Sequence, residues 1–142
     1  MHLVPFLPCH LKSLKLNEFQ EFSAPFLDDE NYVTMLLDGV AYTAIDGDIV
    51  LGCGGMMQIT QNRWQAWALV STATKGKMLK VTALVRKFLN EHPVVRLETV
   101  VRHDFENGHR WAKALGFVNE TPNGMKKYYE DGCDYDLYAR VM

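Results

Sequence analysis

Residues 77–91, KMLKVTALVRKFLNE, constrain this chain more than any other stretch. Met78, Val81, Val85 and Phe88 share one helical face, while Lys77, Lys80, Arg86 and Lys87 lie largely elsewhere. That spacing predicts an amphipathic helix with one buried stripe. Pro93 bars its continuation, because proline lacks an amide hydrogen and clashes with the preceding turn. β-Forming runs stand on either side, RWQAWALV before and VVRLETVV after. Strand, helix, strand implies a parallel pair joined by a right-handed crossover. With 142 residues, 48% of them hydrophobic, the chain can bury one core without metal or disulfide staples and reads as a single domain over 1–142.

The flanking segments predict the rest of an α+β architecture, a mixed sheet with helices on it. VAYTAIDGDIVLGCGGMMQI holds two apolar runs joined by Asp46-Gly47-Asp48. Asp-Gly between β-formers signals a tight hairpin, since the primed turns need positive φ. Gly52, Gly54 and Gly55 point to a bulge or a close backbone approach. A second hairpin turns near Gln61-Asn62. Trp64 and Trp67 are three apart, so a bulge between them would put both on one face. MHLVPFLP reads as extended. Leu11, Leu14, Phe19 and Phe22 fit a short helix over 10–22, and 31–38 fits helix or strand. Asp104 suits a cap for a helix over 105–115. FVNE and KKYYEDGCDYDLYARV read as terminal strands joined by polar turns.

Charge and cysteine usage narrow the function classes. Fifteen basic and seventeen acidic residues leave a net charge of -2, which gives no electrostatic case for nucleic acid. Three cysteines, Cys9, Cys53 and Cys133, form no C-x-x-C pair. This argues against a disulfide framework or zinc site and for a reducing, cytoplasmic compartment. The five histidines show no H-x-x-x-H spacing, so no metal is expected. The proline-interrupted N-terminus makes a poor signal peptide, and no apolar run approaches the ~20 residues of a membrane span.

In order, DGDIVLGCGGMMQI with WQAWALV, then KGKMLKVTALVRKFL, then NGHRWAKALGF, are similar to the central meander, pyrophosphate loop and closing helix of one family. The chain resembles the GNAT superfamily, the acetyl-coenzyme-A-dependent N-acetyltransferases, over about residues 35–140. Within it, the spacing of WALVSTATKGK…RKFL and HRWAKALGF is most similar to small GNAT-like proteins of tailed bacteriophages, internal virion protein A among them. The resemblance implies a splayed mixed β-sheet flanked by helices. Acetyl-coenzyme A would lie where two parallel strands part, its pantetheine arm on the backbone around Ala68, Leu69 and Val70. Its pyrophosphate would rest on the amides of 71–78, with Lys75, Gly76 and Lys77. Asn107 stands near the asparagine often found at the start of the closing helix. A homodimer is a further option within the family.

The resemblance also shows departures. Met78 and Lys80 replace glycines of the family's phosphate loop. Ala112 stands where many members carry the tyrosine that protonates the leaving thiolate. Acyl transfer to an amine needs a neutral amine, an oriented thioester and a donor for the oxyanion. An amide near Leu69 or Val70 can be that donor. Glu98 and His103 are candidate general bases, against the plainer readings of a salt-bridged strand residue and a loop histidine. Tyr128 or Tyr129 can replace the missing tyrosine, against the reading of strand aromatics. The tryptophans read as core before substrate groove, and Cys53 as a small buried hydrophobe. The Lys75/Lys77/Lys80 cluster reads as phosphate contact or as the wet face of a helix start. The expected function is acetyl transfer to a primary amine, on a protein or small molecule, by direct attack on the thioester. The alternative is a catalytically degenerate phage protein of this fold that binds a host or virion protein.

Overall fold

The computed structural model describes residues 1–20 and 27–142. Seven strands form one sheet in the order β1-β2-β3-β4-β5-β7-β6. They are β1 (His2–Pro5), β2 (Val40–Asp46), β3 (Ile49–Gln58), β4 (Arg63–Val70), β5 (Arg96–Arg102), β6 (Val118–Asn119) and β7 (Tyr135–Val141). Among the described residues three α-helices accompany them: α1 (Glu30–Leu37), α2 (Met78–Glu91) and α3 (Glu106–Ala114). Every neighbouring pair is antiparallel except β4 and β5, which the α2 crossover makes parallel. The class is α+β with a mixed sheet.

The two hairpins form as their turn residues dictate. Gly47 and Asp48 join β2 to β3, and the register shifts between Ala44 and Ile45, beside Gly52. Gly55 lies where β2 and β3 come together. A Cβ there would overlap the carbonyl oxygen of Val40 and sit 2.8 Å from the Cα of Ala41. α2 packs as its stripe requires. Val81 and Leu89 are buried, and Met78, Val85 and Phe88 pack against the same side of the sheet. Each buried aliphatic side chain of this kind contributes ~2 kcal/mol. α3 closes over β5 and ends on a Schellman motif. Gly116 takes φ 90°, its N–H donates to the carbonyl of Lys113, and the N–H of Phe117 donates to that of Ala112. The terminator thereby turns Phe117 into the core, where it is 5% exposed.

Four expectations need correction. No α-helix covers 10–20; a 3-10 turn, Pro8–Ser13, is followed by a chain that bridges Leu16 to Ser71. Leu11, Leu14 and Leu16 still reach one cluster, so apolar spacing alone mimicked a helix. Phe22 lies outside the described residues. No bulge separates Trp64 from Trp67, because the β3–β4 register runs unbroken. The indoles pack into clusters on opposite faces, and a sheet covered on both sides needs no reconciliation between them. Asp104 does not cap α3. Phe105 is the N-cap residue without a side-chain bond, while Asp104 pairs with Arg102 at 2.8 Å. Residues 126–134 are turns, not strand, so Tyr128 and Tyr129 belong to a loop over the sheet's end.

Candidate active-site cleft

β4 and β5 stay together for only three registered pairs, Arg63 with Arg96, Trp64 with Leu97 and Gln65 with Glu98. Beyond that point they part. On its other edge β4 pairs with β3 as far as Val70. Backbone groups alternate sides along an antiparallel strand. Ala68 and Val70 therefore present theirs to the opening, and the peptide of Leu69 turns toward β3. Of the expected trio, two supply open backbone groups, while the Leu69 side chain is buried on the α1 face.

The parting strands border a cavity of about 280 Å³. Its lining includes Ala68, Val70, Arg102, Gly108, Trp111 and Tyr129. Among the described residues, Arg102 is the one charged side chain in the lining, and its partner Asp104 lies outside that lining. The N-terminus of α2 points amides to the same end of β4. No side chain caps it, so the first-turn N–H groups and the helix dipole are available to an anion. Lys75 and Gly76 are exposed on the preceding turn, and Gly76 has φ 80°. Lys77 is committed elsewhere. Its Nζ lies 3.0 Å from Asp46, whose carboxyl it holds below the usual carboxylate range.

The two candidate bases differ sharply in their surroundings. Glu98 sits at the closed vertex of the seam. One of its oxygens accepts from Arg96 at 2.7 Å and the other lies 3.4 Å from Arg63. Arg96 reaches on to Glu120. A carboxylate so engaged has no free oxygen aimed at the cavity. His103 follows β5 at the open end; it stands between the lining residues Arg102 and Phe105 in sequence but does not itself line the cavity. Its Nδ1 donates to Asp136 at 2.7 Å, which leaves Nε2 uncommitted on a side chain 46% exposed. Asp136 on β7 is 2% exposed, and Asn119 donates to its second oxygen at 2.8 Å. A buried carboxylate with its acceptors filled fixes both the imidazole's tautomer and its orientation. Behind it, His109 lies 2.7 Å from the hydroxyl of Tyr138 and 2.9 Å from the carbonyl of His103. A carbonyl only accepts, so His109 donates through Nε2 and Tyr138 donates to Nδ1.

The tyrosine pair divides as well. Tyr128 is 49% exposed, against Tyr129 of the same loop and Tyr135 of β7. Tyr129 lines the cavity, and burial, helped by Tyr128, raises its phenol above the ordinary tyrosine value. Asn107 is exposed on the first turn of α3, and Ala112 is buried in the core. Cys53 is pushed up to about 11 by burial, as a packed thiol would be. Among the described residues no group of His, Cys, Asp and Glu is arranged to hold a metal ion. No described helix is long and apolar enough to cross a membrane.

Sequence reasoning missed Asp136, Asn119 and Gln20. Asp136 had a signal: an acid alternating with Tyr138 on one face of an apolar strand. Gln20 had none. Its side chain lies 48 residues from its partner and docks on the open edge of β4, donating to the carbonyl of Ala68 at 2.9 Å and accepting from the N–H of Val70 at 3.1 Å.

No family model matches the sequence, and no curated protein is similar to it. Solved structures are. Ard1 from Thermoplasma volcanium superposes with a TM-score of 0.71 at 19% identity, over 99% of this chain and 96% of that one. An IAA acetyltransferase from Bacillus cereus gives 0.72 at 14%, over 99% and 98%. An acetyltransferase of the GNAT family from Bacillus anthracis gives 0.67 at 13%, over 98% and 93%. At such identities the likeness is one of fold: the splayed mixed sheet flanked by helices is that of GNAT acetyltransferases.

Proposed function

We propose that the chain is an acetyl-coenzyme-A-dependent N-acetyltransferase, one domain over 1–142, that acts on a primary amine by direct attack. The observation that carries this reading is the early parting of β4 from β5. It opens the backbone of Ala68 and Val70 onto a cavity, at the end of β4 from which the chain runs on to the uncapped start of α2. The residues suit the group's amide-rich arm, since the Gln20 amide already satisfies the same carbonyl and N–H. Ala68 and Val70 would hold the arm, and the α2 amides with Lys75 and Gly76 the pyrophosphate. Lys77 would contribute only by leaving Asp46, and Asn107 would flank the start of α3.

When bound, acetyl-coenzyme A supplies the activated acetyl group. The remaining work falls to the chain. An N–H on the open edge of β4, that of Ala68 or Val70, donates to the oxyanion. His103 takes the amine proton at Nε2 while Asp136 holds Nδ1. With its oxygens engaged by Arg96 and Arg63, Glu98 is the weaker choice of base. Tyr129, kept protonated by burial, replaces Tyr128 as the donor to the leaving thiolate. The acceptor is a protein or small-molecule amine, the compartment is cytoplasmic, and a homodimer belongs to the same proposal.

Calorimetric titration with acetyl-coenzyme A tests the reading. Saturable binding that weakens in Lys75→Ala is expected, and no heat of binding at millimolar ligand refutes it. A second reading is favoured by one observation. Ala112 is 4% exposed in the core, so α3 brings no hydroxyl to the cleft. On that reading the fold is kept to bind a host or virion protein, which rests on the narrower phage resemblance in spacing. A partner retained in pull-downs from host lysate, with no cofactor bound, would favour it.

A further inference from the structure

The open end of the β4–β5 seam is crossed by the turn Asn17–Gln20. The Asn17 side chain accepts from the N–H of Phe19 at 2.9 Å, and its carbonyl accepts from the N–H of Gln20 at 3.0 Å. This tight turn sends neighbouring side chains to opposite banks. Gln20 docks on β4, through Ala68 and Val70. Phe19 stacks on Phe105 with centroids 4.3 Å apart and planes 11° from parallel. The guanidinium of Arg102 lies over the Phe19 ring at 5.2 Å. β4 is thus tied to the end of β5 across the gap.

Gln20 uses its amide as a strand would use its backbone. A primary amide holds a donor and an acceptor in fixed relation, which matches the C=O and N–H two residues apart on this strand edge. These are the groups that the acetyltransferase reading assigns to the arm of acetyl-coenzyme A. We propose that the Phe19–Gln20 turn is a self-latch on the cofactor edge of β4, which acetyl-coenzyme A must displace to bind. The exchange conserves hydrogen bonds, because a ligand amide replaces a side-chain amide. What is given up is the Phe19–Phe105 stack and the turn's order. The latch therefore lowers apparent affinity by the fraction of molecules in which it is open.

This inference rests on the acetyltransferase reading, and the experiment separates the two. Acetyl-coenzyme A is titrated calorimetrically into the wild type, Gln20→Ala and Phe19→Ala, and amide exchange at Val70 is followed in the free proteins. Gln20→Ala is expected to tighten binding about five- to tenfold by releasing the latch. Its Val70 amide should exchange faster. Phe19→Ala should shift both readouts the same way and serves if Gln20→Ala does not fold. A purely structural turn predicts unchanged or weaker binding in both variants, and that result overturns the latch alone. No binding by any of the proteins overturns the acetyltransferase reading and the latch with it.

Discussion

β4 has two neighbours and joins them differently. With β3 it keeps seven registered pairs, from Gly52–Val70 to Gln58–Trp64. With β5 it keeps three. The β3 side is sealed by side-chain-free glycines and by cores on both faces of the sheet. The β5 side is pinned at one end by Glu98 between Arg63 and Arg96, and crossed at the other by the turn that carries Phe19 and Gln20. The contrast teaches where chemistry can enter a buried sheet. A strand edge with all its partners offers a ligand nothing, whereas an edge abandoned after three pairs offers oriented donors and acceptors.

The contrast can be broken first on the sealed side. Gly52→Ala sets a methyl group 2.9 Å from the carbonyl oxygen of Leu69 on β4 and is expected to cost about 2 kcal/mol, read as a lowered urea midpoint. A variant as stable as the wild type would show that this seam has slack. On the open side, His103→Gln should lower the acetyl-transfer rate roughly a hundredfold while leaving acetyl-coenzyme A affinity alone. An unchanged rate would remove His103 from the chemistry. At the vertex, Glu98→Gln should cost about 1 kcal/mol of stability, since its partners are partly exposed. Its transfer rate should stay within about twofold, the outcome for a group that is not the general base. A rate loss as large as that of His103→Gln would restore the carboxylate as a base.

The smallest effect concerns Cys53, on the sealed side. Its raised thiol means that the neutral form is favoured in the fold. Its contribution to stability is complete below the thiol's unfolded value, near 9, and is lost as pH rises through about 11. At pH 8, iodoacetamide should label exposed Cys9 and spare Cys53. Equal labelling would mean that the sheet opens there.

Much of this frame was legible beforehand because its signals are local. The stripe of α2, the Asp-Gly turn and the Leu-Gly-Phe ending of α3 each follow from residues a few positions apart. Trp64 and Trp67 misled because alternation says which residues share a face, not whether both faces are covered. The 10–22 segment misled because Leu11, Leu14 and Leu16 meet one cluster from a short 3-10 turn and the chain that follows it, without an α-helix. Asp104 has the right side chain for a cap, but its neighbour Arg102 claims it. For the site, His103 was readable as a type, yet its standing over Glu98 depends on Asp136, thirty-three residues away. The latch is less legible still, because nothing in Asn17–Gln20 announces which strand edge it will meet.

The strand order carries a kinetic consequence. β1 through β4 are laid down in sequence and in space as one run, and β5, β6 and β7 form a second. The parallel seam joins these runs across the α2 crossover, so its contacts must bear a loop-closure entropy that the hairpins of the first run avoid. With three residue pairs to offset that cost, the seam is expected to be the last contact made in folding and the first lost in partial opening. Native-state hydrogen exchange should then show the amides at the β4–β5 seam opening at lower free energy than those between β3 and β4. Equal opening energies would show that the two runs fold as one cooperative unit.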